Sequence, residues 1–257
     1  MISYYNKPGG SIEALPPSAR ATVRRRAGRG HYDRATIDAI LDEGMYGHVG
    51  LESAGQPFVI PVLYGRSNEE LFLHGSPLSR LLGTGAAGAP LCFTVTLLDG
   101  LVLARSAFHH SMNYRSVVVF GQARVVDDRE EKLEALRLIV EHVVPGRSSD
   151  VRGPNDQELK ATEVLALGLS EASAKVRTGP PVDGPEDMDL PSGSRPARHP
   201  ASPDRAAPES SCWAGELPFT VATATPIADD RTTAPVPPYV RFYRRPGTGT
   251  DHEPEAA

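Results

Sequence analysis

MYGHVGLESAGQPFVIPVLYGRSNEELFLHG, residues Met45 to Gly75, holds three β-rich runs separated by two turn signals, SAGQ and RSNE. Branched and aromatic side chains fill the runs, and the short turns between them predict antiparallel neighbours. Downstream, APLCFTVTLLDGLVLARSAF reads as two strands about a turn at Asp99 and Gly100. RSVVVFGQARVV, from Arg115 to Val126, is the strongest strand in the chain. Gly121 in its middle predicts a bulge or a close backbone approach. ELKATEVLALGLSEASAKVRTGPP predicts one turn of helix and one or two further strands.

Helices flank this material. In HYDRATIDAILDEG, Asp33 is placed to cap, Ile37, Ile40 and Leu41 share a face, and Gly44 is placed to close the helix. SPLSRLL predicts a brief helix. DDREEKLEALRLIVEHVV sets Leu133, Leu136, Val140 and Val143 on one stripe, begins acidic and stops at Pro145-Gly146. Strands this numerous, with so few helices between them, predict a mainly β chain with peripheral helices (α+β). In roughly 150 residues they fit a small closed or partly closed antiparallel barrel better than a parallel sheet.

Composition sets the boundaries. Of 24 prolines in 257 residues, 15 fall in the last 78, so the end of the chain is poorer in regular structure than the front. Residues 1–30 read as an arm carrying Arg24, Arg25, Arg26 and Arg29. Residues 31–191 form the barrel domain and 213–243 a segment packing on it. Residues 192–212 contain four prolines and five serines but no Val, Ile, Leu, Met or aromatic residue, which predicts a disordered insertion. Residues 244–257 read as a disordered tail.

A net charge of −5 gives no general electrostatic reason to bind nucleic acid. No apolar run approaches the roughly 20 residues of a membrane span, and the N-terminus has no basic region followed by an apolar stretch. Cys92 and Cys212 form no metal-ligand pattern and suit a reducing compartment, so a cytoplasmic protein without a metal site is expected. The glycine and catalytic motifs of dinucleotide-binding folds, P-loop NTPases, zincins and α/β-hydrolases are absent from the sequence.

Two segments carry candidate chemistry. His74 to Arg80, HGSPLSR, joins a strand to a helix through Gly75, with Ser76 placed to cap, Pro77 suited to the first helical position and Ser79 and Arg80 as anion partners. On the residues alone an ordinary capped helix with a surface arginine is the simpler reading. His109 to Ser116, HHSMNYRS, enters the strongest strand. Its histidines lack a nearby acidic orienter, which disfavours a hydrolase. Arg115 and Ser116 suit a phosphate or a polar ring edge, or a hydrogen-bonded turn. Met45, Tyr46 and Trp213 read as core or interface residues.

The order of RGHYDRATIDAILDEG, the G-x-P-x-V-I-P-V strand, LFLHGSPLSRLL, LARSAFHHSMNYRSVVVFGQARVV, EEKLEALRLIVEHVVPGR, ELKATEVLALGLSEASAKVRTGPP and WAGELPF resembles the FMN-binding split-barrel family related to pyridoxamine 5′-phosphate oxidase. The likeness is to its flavin-nucleotide-binding branch, which includes nitroimidazole reductases. It implies an antiparallel, Greek-key split β-barrel and a homodimer with FMN between subunits. Val59, Ile60, Pro61 and Val62 would line the flavin ring, and His74, Gly75, Ser79 and Arg80 would hold the phosphate. Arg115 and Ser116 would reach the flavin. His74 is the leading candidate for a catalytic acid. The implied activity is oxidoreduction of a small molecule, with NAD(P)H as a candidate reductant. The alternatives are a non-catalytic flavin-binding or sensor module, or the same barrel holding haem or a deazaflavin. VPPYVRFYRR departs from the terminal substrate-binding signature of the oxidases proper, so the resemblance does not extend to that activity.

Overall fold

The computed structural model describes residues 4–6, 12–188 and 213–244. The expected insertion at 192–212 lies outside the described residues, and so does the expected tail apart from Arg244.

The strands are β1 (Tyr4–Asn6), β2 (Ile12–Ala14), β3 (Gly30–His31), β4 (Tyr46–Ser53), β5 (Gln56–Arg66) and β6 (Glu70–Gly75). β7 (Pro90–Leu103), β8 (Ser111–Gln122), β9 (Arg124–Val125), β10 (Glu163–Gly168), β11 (Ala172–Arg177) and β12 (Gly215–Pro218) complete the set. β1 and β2 pair with each other, and the rest form one sheet in the order β3-β11-β8-β7-β4-β5-β6-β10-β9, with β12 against β7. The pairings are antiparallel. The expected meander is β4-β5-β6, and the connection from β6 to β7 returns the chain to the far side of β4, as a Greek key requires. The fold is the antiparallel split-barrel class expected from the sequence.

The helices are α1 (Arg34–Glu43), α2 (Arg80–Ala86), α3 (Arg129–Val143), α4 (Asp156–Ala161), α5 (Pro185–Met188) and α6 (Pro238–Arg241). Asp33 and Asp128 cap α1 and α3 by accepting the backbone N–H of Thr36 and Glu131, each at 2.8 Å. Asn155 and Glu158 close a capping box on α4. Gly44 follows α1 in extended backbone rather than in the left-handed conformation. Space explains that glycine instead, because a Cβ there would stand 2.4 Å from Val95 and 2.9 Å from the Tyr64 hydroxyl.

By its contacts the chain divides into two compact units. The first comprises Met1–Leu97, Arg115–Val176 and Val221–Ala257. Its main core includes Ile37, Leu41, Tyr64, Leu73, Phe93, Val117, Val119 and Leu165, all essentially out of solvent. Each contributes about 1.5–3 kcal/mol by burial. A second cluster, Phe72, Val126, Ala135, Ile139, Val164 and Ala166, sits under α3. Gly65 makes that packing possible, since a Cβ there would lie 2.6 Å from the Ile139 backbone nitrogen. The arm is held at Arg20, which pairs with Glu171, and at Val23, whose N–H donates to the Tyr32 hydroxyl at 2.9 Å.

The second unit comprises Leu98–Tyr114 and Arg177–Thr220. The expected turn at Asp99 and Gly100 is absent, because β7 runs through it as one strand. Gly100 serves a close approach instead: a Cβ there would meet the Leu217 carbonyl of β12 at 2.6 Å. Buried Arg177 donates to Asn113 and to the Gly179 carbonyl, and Asn113 donates to Glu216 at 2.6 Å.

Candidate functional site

β5 changes character along its length. Tyr64–Arg66 pair with β6, whereas Gln56–Leu63 pair with β4 alone, so the other backbone edge of that segment has no strand partner among the described residues. Its side chains alternate: Phe58, Ile60 and Val62 pack toward the core, while Val59, 71% exposed, shares the outward face with Pro61 and Leu63. Pro61 lacks an N–H, which a strand tolerates where the ladder requires no donor. Of the four residues expected to line a ring, Val59 and Pro61 therefore present side chains outward, and Ile60 and Val62 contribute backbone.

The HGSPLSR segment follows β6. α2 begins at Arg80, not at Pro77, so its cap is Ser79 rather than the expected Ser76: the Ser79 hydroxyl accepts the Leu82 N–H at 3.3 Å and keeps its own proton to donate. Arg80 lies with its guanidinium carbon 3.8 Å from the centre of the Phe58 ring, and no carboxylate pairs with it among the described residues. That contact joins the loop before α2 to β5, one residue before Val59. A Cβ on Gly75 would stand 2.9 Å from Leu82, so a larger residue would push the loop off α2.

His74 faces a different space. It lines a cavity of about 700 Å³ with Leu63, Leu133, Leu136, Val140 and Val143. That volume is within the roughly 300–1,000 Å³ of small-molecule sites. Burial pushes the imidazole pKa below the ordinary histidine value, which favours the neutral ring, and Nδ1 is buried without a hydrogen-bond partner. The α3 stripe expected from the sequence is thus the wall of this cavity, while Ala135 and Ile139 make the core contact. Arg137 and Arg152 stand at its rim, paired with Glu134 and Glu158.

Arg115 and Ser116 lie elsewhere on the sheet. Both carboxylate oxygens of Glu43 accept from the Arg115 guanidinium, one at 2.8 Å, and the Ser116 hydroxyl donates to the Lys175 carbonyl at 3.3 Å. β7 and β4 separate β8 from β5, three strand spacings or roughly 14 Å along the sheet.

Three features escaped the sequence. His48 stands opposite Pro61 and Thr94 in the ladders, with Tyr46 edge-on at 5.7 Å between ring centres. Tyr46 is 56% and Trp213 65% exposed, and Met45 is exposed as well, so none is core. In the second unit His109 has the acidic neighbour that local sequence lacked, since Nδ1 lies 3.1 Å from Asp187 and 2.7 Å from the Ser106 hydroxyl. With Asp183 they place one ligand-type atom each within 4.8 Å, but both Asp183 oxygens already accept from Arg105. The third feature is the cavity beside His74, and it alone left a trace: α3 has more apolar positions than one core stripe needs.

A partly closed antiparallel barrel with an open strand edge, an unpaired arginine beside it and an apolar cavity behind it defines a small-molecule-binding barrel. The family model for pyridoxamine 5′-phosphate oxidase matches residues 33–176, and the chain belongs to that family. It is similar to the flavocytochrome Anf3 of Azotobacter vinelandii, at 36% identity over 89% of this chain and 98% of that one, with a TM-score of 0.77. It is also similar to an FAD and haem binding protein of Mycobacterium smegmatis, at 33% identity over 83% and 96% of the two chains, with a TM-score of 0.72. A search of curated proteins returned no match. No helix among the described residues is long and apolar enough to cross a membrane.

Proposed function

We propose that this chain is a flavin-binding oxidoreductase acting on a small molecule, either reducing a nitro-type or other electrophile or oxidising a small amine or alcohol. The observation that carries the reading is Arg80, a cation without a carboxylate partner, held on the Phe58 ring beside the open edge of β5. Arg80 and the Ser79 hydroxyl would hold a phosphate, and the Val59–Val62 backbone would orient the ring. Val59 and Leu63 would exclude water from one side. The bound flavin supplies hydride chemistry. FMN is the proposed form. FAD offers the same phosphate chemistry and is supported by the name of the Mycobacterium relative.

Two chains complete the site in this reading. β8, which carries Arg115 and Ser116, is three strand spacings from Val59–Val62 within one chain, and Val118 and Phe120 leave a half-exposed apolar face on it. A homodimer would cover that face and bring this strand, with Ser116, to the flavin of its partner.

A second reading adds haem. It is favoured by the cavity, where a neutral imidazole with an unpartnered nitrogen meets apolar walls. His74 would hold the iron. Spectra of the purified protein separate the readings. Flavin bands bleached by NAD(P)H and restored by a nitro compound support the oxidoreductase. Bands that do not respond support a storage or sensor role. A Soret band lost in His74→Ala, with the flavin retained, supports haem in the cavity.

A further inference from the structure

We propose that His48 is a flavin-contact residue, the side chain that meets the negative charge a flavin gains when it is reduced. This rests on the flavin reading above. His48 and Pro61 are directly opposed in the β4–β5 ladder, with Tyr46 opposite Leu63 and Gly50 opposite Val59. Side chains of one parity share a face, so His48 stands on the outward face with Val59 and Pro61. On its other side the neighbour is Thr94 of β7, whose hydroxyl is committed to the Val117 carbonyl at 2.9 Å. The Tyr46 ring stands edge-on to it, 5.7 Å between ring centres.

The composition of this face gives the inference its content. Val59, Pro61, Leu63, Tyr46, Gly50 and Thr94 are uncharged; Glu52 lies farther along the face opposite Pro57, and Arg20 acts on Cys92 opposite Gly50, so the basic side chain opposed to Pro61 itself is His48. A ring N–H of His48 is available to donate in either protonation state. Donation to an acceptor that carries negative charge is worth about twice a neutral hydrogen bond. His48 is therefore expected to bind reduced flavin better than oxidised flavin. His74, the histidine that stands out in the sequence, serves the cavity instead.

The test uses the full chain with FMN, and with FAD in a parallel series. Affinities for the oxidised and the dithionite-reduced forms are measured anaerobically for the wild type, His48→Leu and His48→Gln. The expected result is that Leu, which has no donor, binds oxidised flavin like the wild type but loses about ten-fold or more in affinity for the reduced form. Gln, which restores an N–H donor, should recover most of that loss. Equal affinities for both forms in wild type and Leu overturn the proposal, and so does an equal loss of both forms in Leu. A wild type that binds neither flavin sinks the underlying flavin reading instead. A measurement independent of any variant is carbethoxylation of the wild type followed by mass spectrometry. Flavin should protect His48, and unchanged labelling with saturating flavin overturns the contact.

Discussion

Arg80 and Arg115 are both arginines next to an apolar strand, and the structure uses them in opposite ways. Arg115 is gripped by both oxygens of Glu43, a carboxylate that is itself largely buried. Its charge is neutralised inside the fold, and what it contributes there is the tie between the end of α1 and β8. Arg80 has a ring beneath it and no carboxylate partner among the described residues, so its hydrogen-bond donors remain open to a ligand. The difference teaches that an arginine near a site reports on ligand binding only through its counter-charge: a satisfied guanidinium stabilises, and an unsatisfied one recruits.

Four experiments break or sharpen this contrast. The largest effect is expected from Val118→Asp, on the half-exposed face of the Arg115 strand, because an unpaired charge buried at an interface costs several kcal/mol. Sedimentation should find this variant monomeric or misfolded and without flavin; a folded, flavin-loaded monomer would place the site within a single chain. Val119, fully buried within its own chain, is a poor probe of assembly, since Asp there should unfold the barrel itself.

Arg115→Ala should lower unfolding stability by about 2–3 kcal/mol, the range for losing hydrogen bonds between charged groups. Denaturant titration of flavin-free protein reads this directly. A variant of unchanged stability that has lost flavin affinity would transfer the recruiting role to Arg115.

Arg80→Ala should leave stability nearly unchanged and weaken FMN binding by about 1.5–3 kcal/mol, while riboflavin, which lacks the phosphate, is hardly affected. Equal losses for the two ligands would detach Arg80 from the phosphate.

The smallest effect concerns pH. Because burial depresses the His74 pKa in the folded state, the unfolded chain takes up a proton first as pH falls. Stability from this residue is complete above about pH 6.5 and declines as the pH drops toward the folded-state value. The slope should be a fraction of roughly 1.4 kcal/mol per pH unit, since the ring keeps some solvent contact. His74→Leu should flatten the acid limb between pH 7 and 5. An unchanged limb would assign the acid sensitivity to another group.

Much of this architecture was legible in the chain because it depends on neighbours in sequence. β-rich runs mark β4, β5, β6 and β8, and the cap at Asp33 needs only the residues two or three places on, although the cap of α2 fell at Ser79 rather than at Ser76. HGSPLSR was recognisable for the same reason. Long-range events were not. Gly100 reads as a turn until β12 is laid beside it, and Gly44 reads as a helix stop until Val95 and Tyr64 fill the space of its missing side chain. The spacing of Leu133, Leu136, Val140 and Val143 is that of a core stripe whether or not a core lies opposite.

The sequence by itself thus determined the antiparallel barrel class and the loop with a candidate phosphate-binding arginine, since periodicity and turn chemistry are local properties of the chain, while the family followed from the resemblance of its segments to known sequences. Only the tertiary structure decided that Glu43 neutralises Arg115, that His74 belongs to a cavity, and that His48 stands beside Pro61. Counter-charges, cavities and cross-strand neighbours arise from residues far apart in the chain, and the register and packing that join them exist only once the barrel has closed.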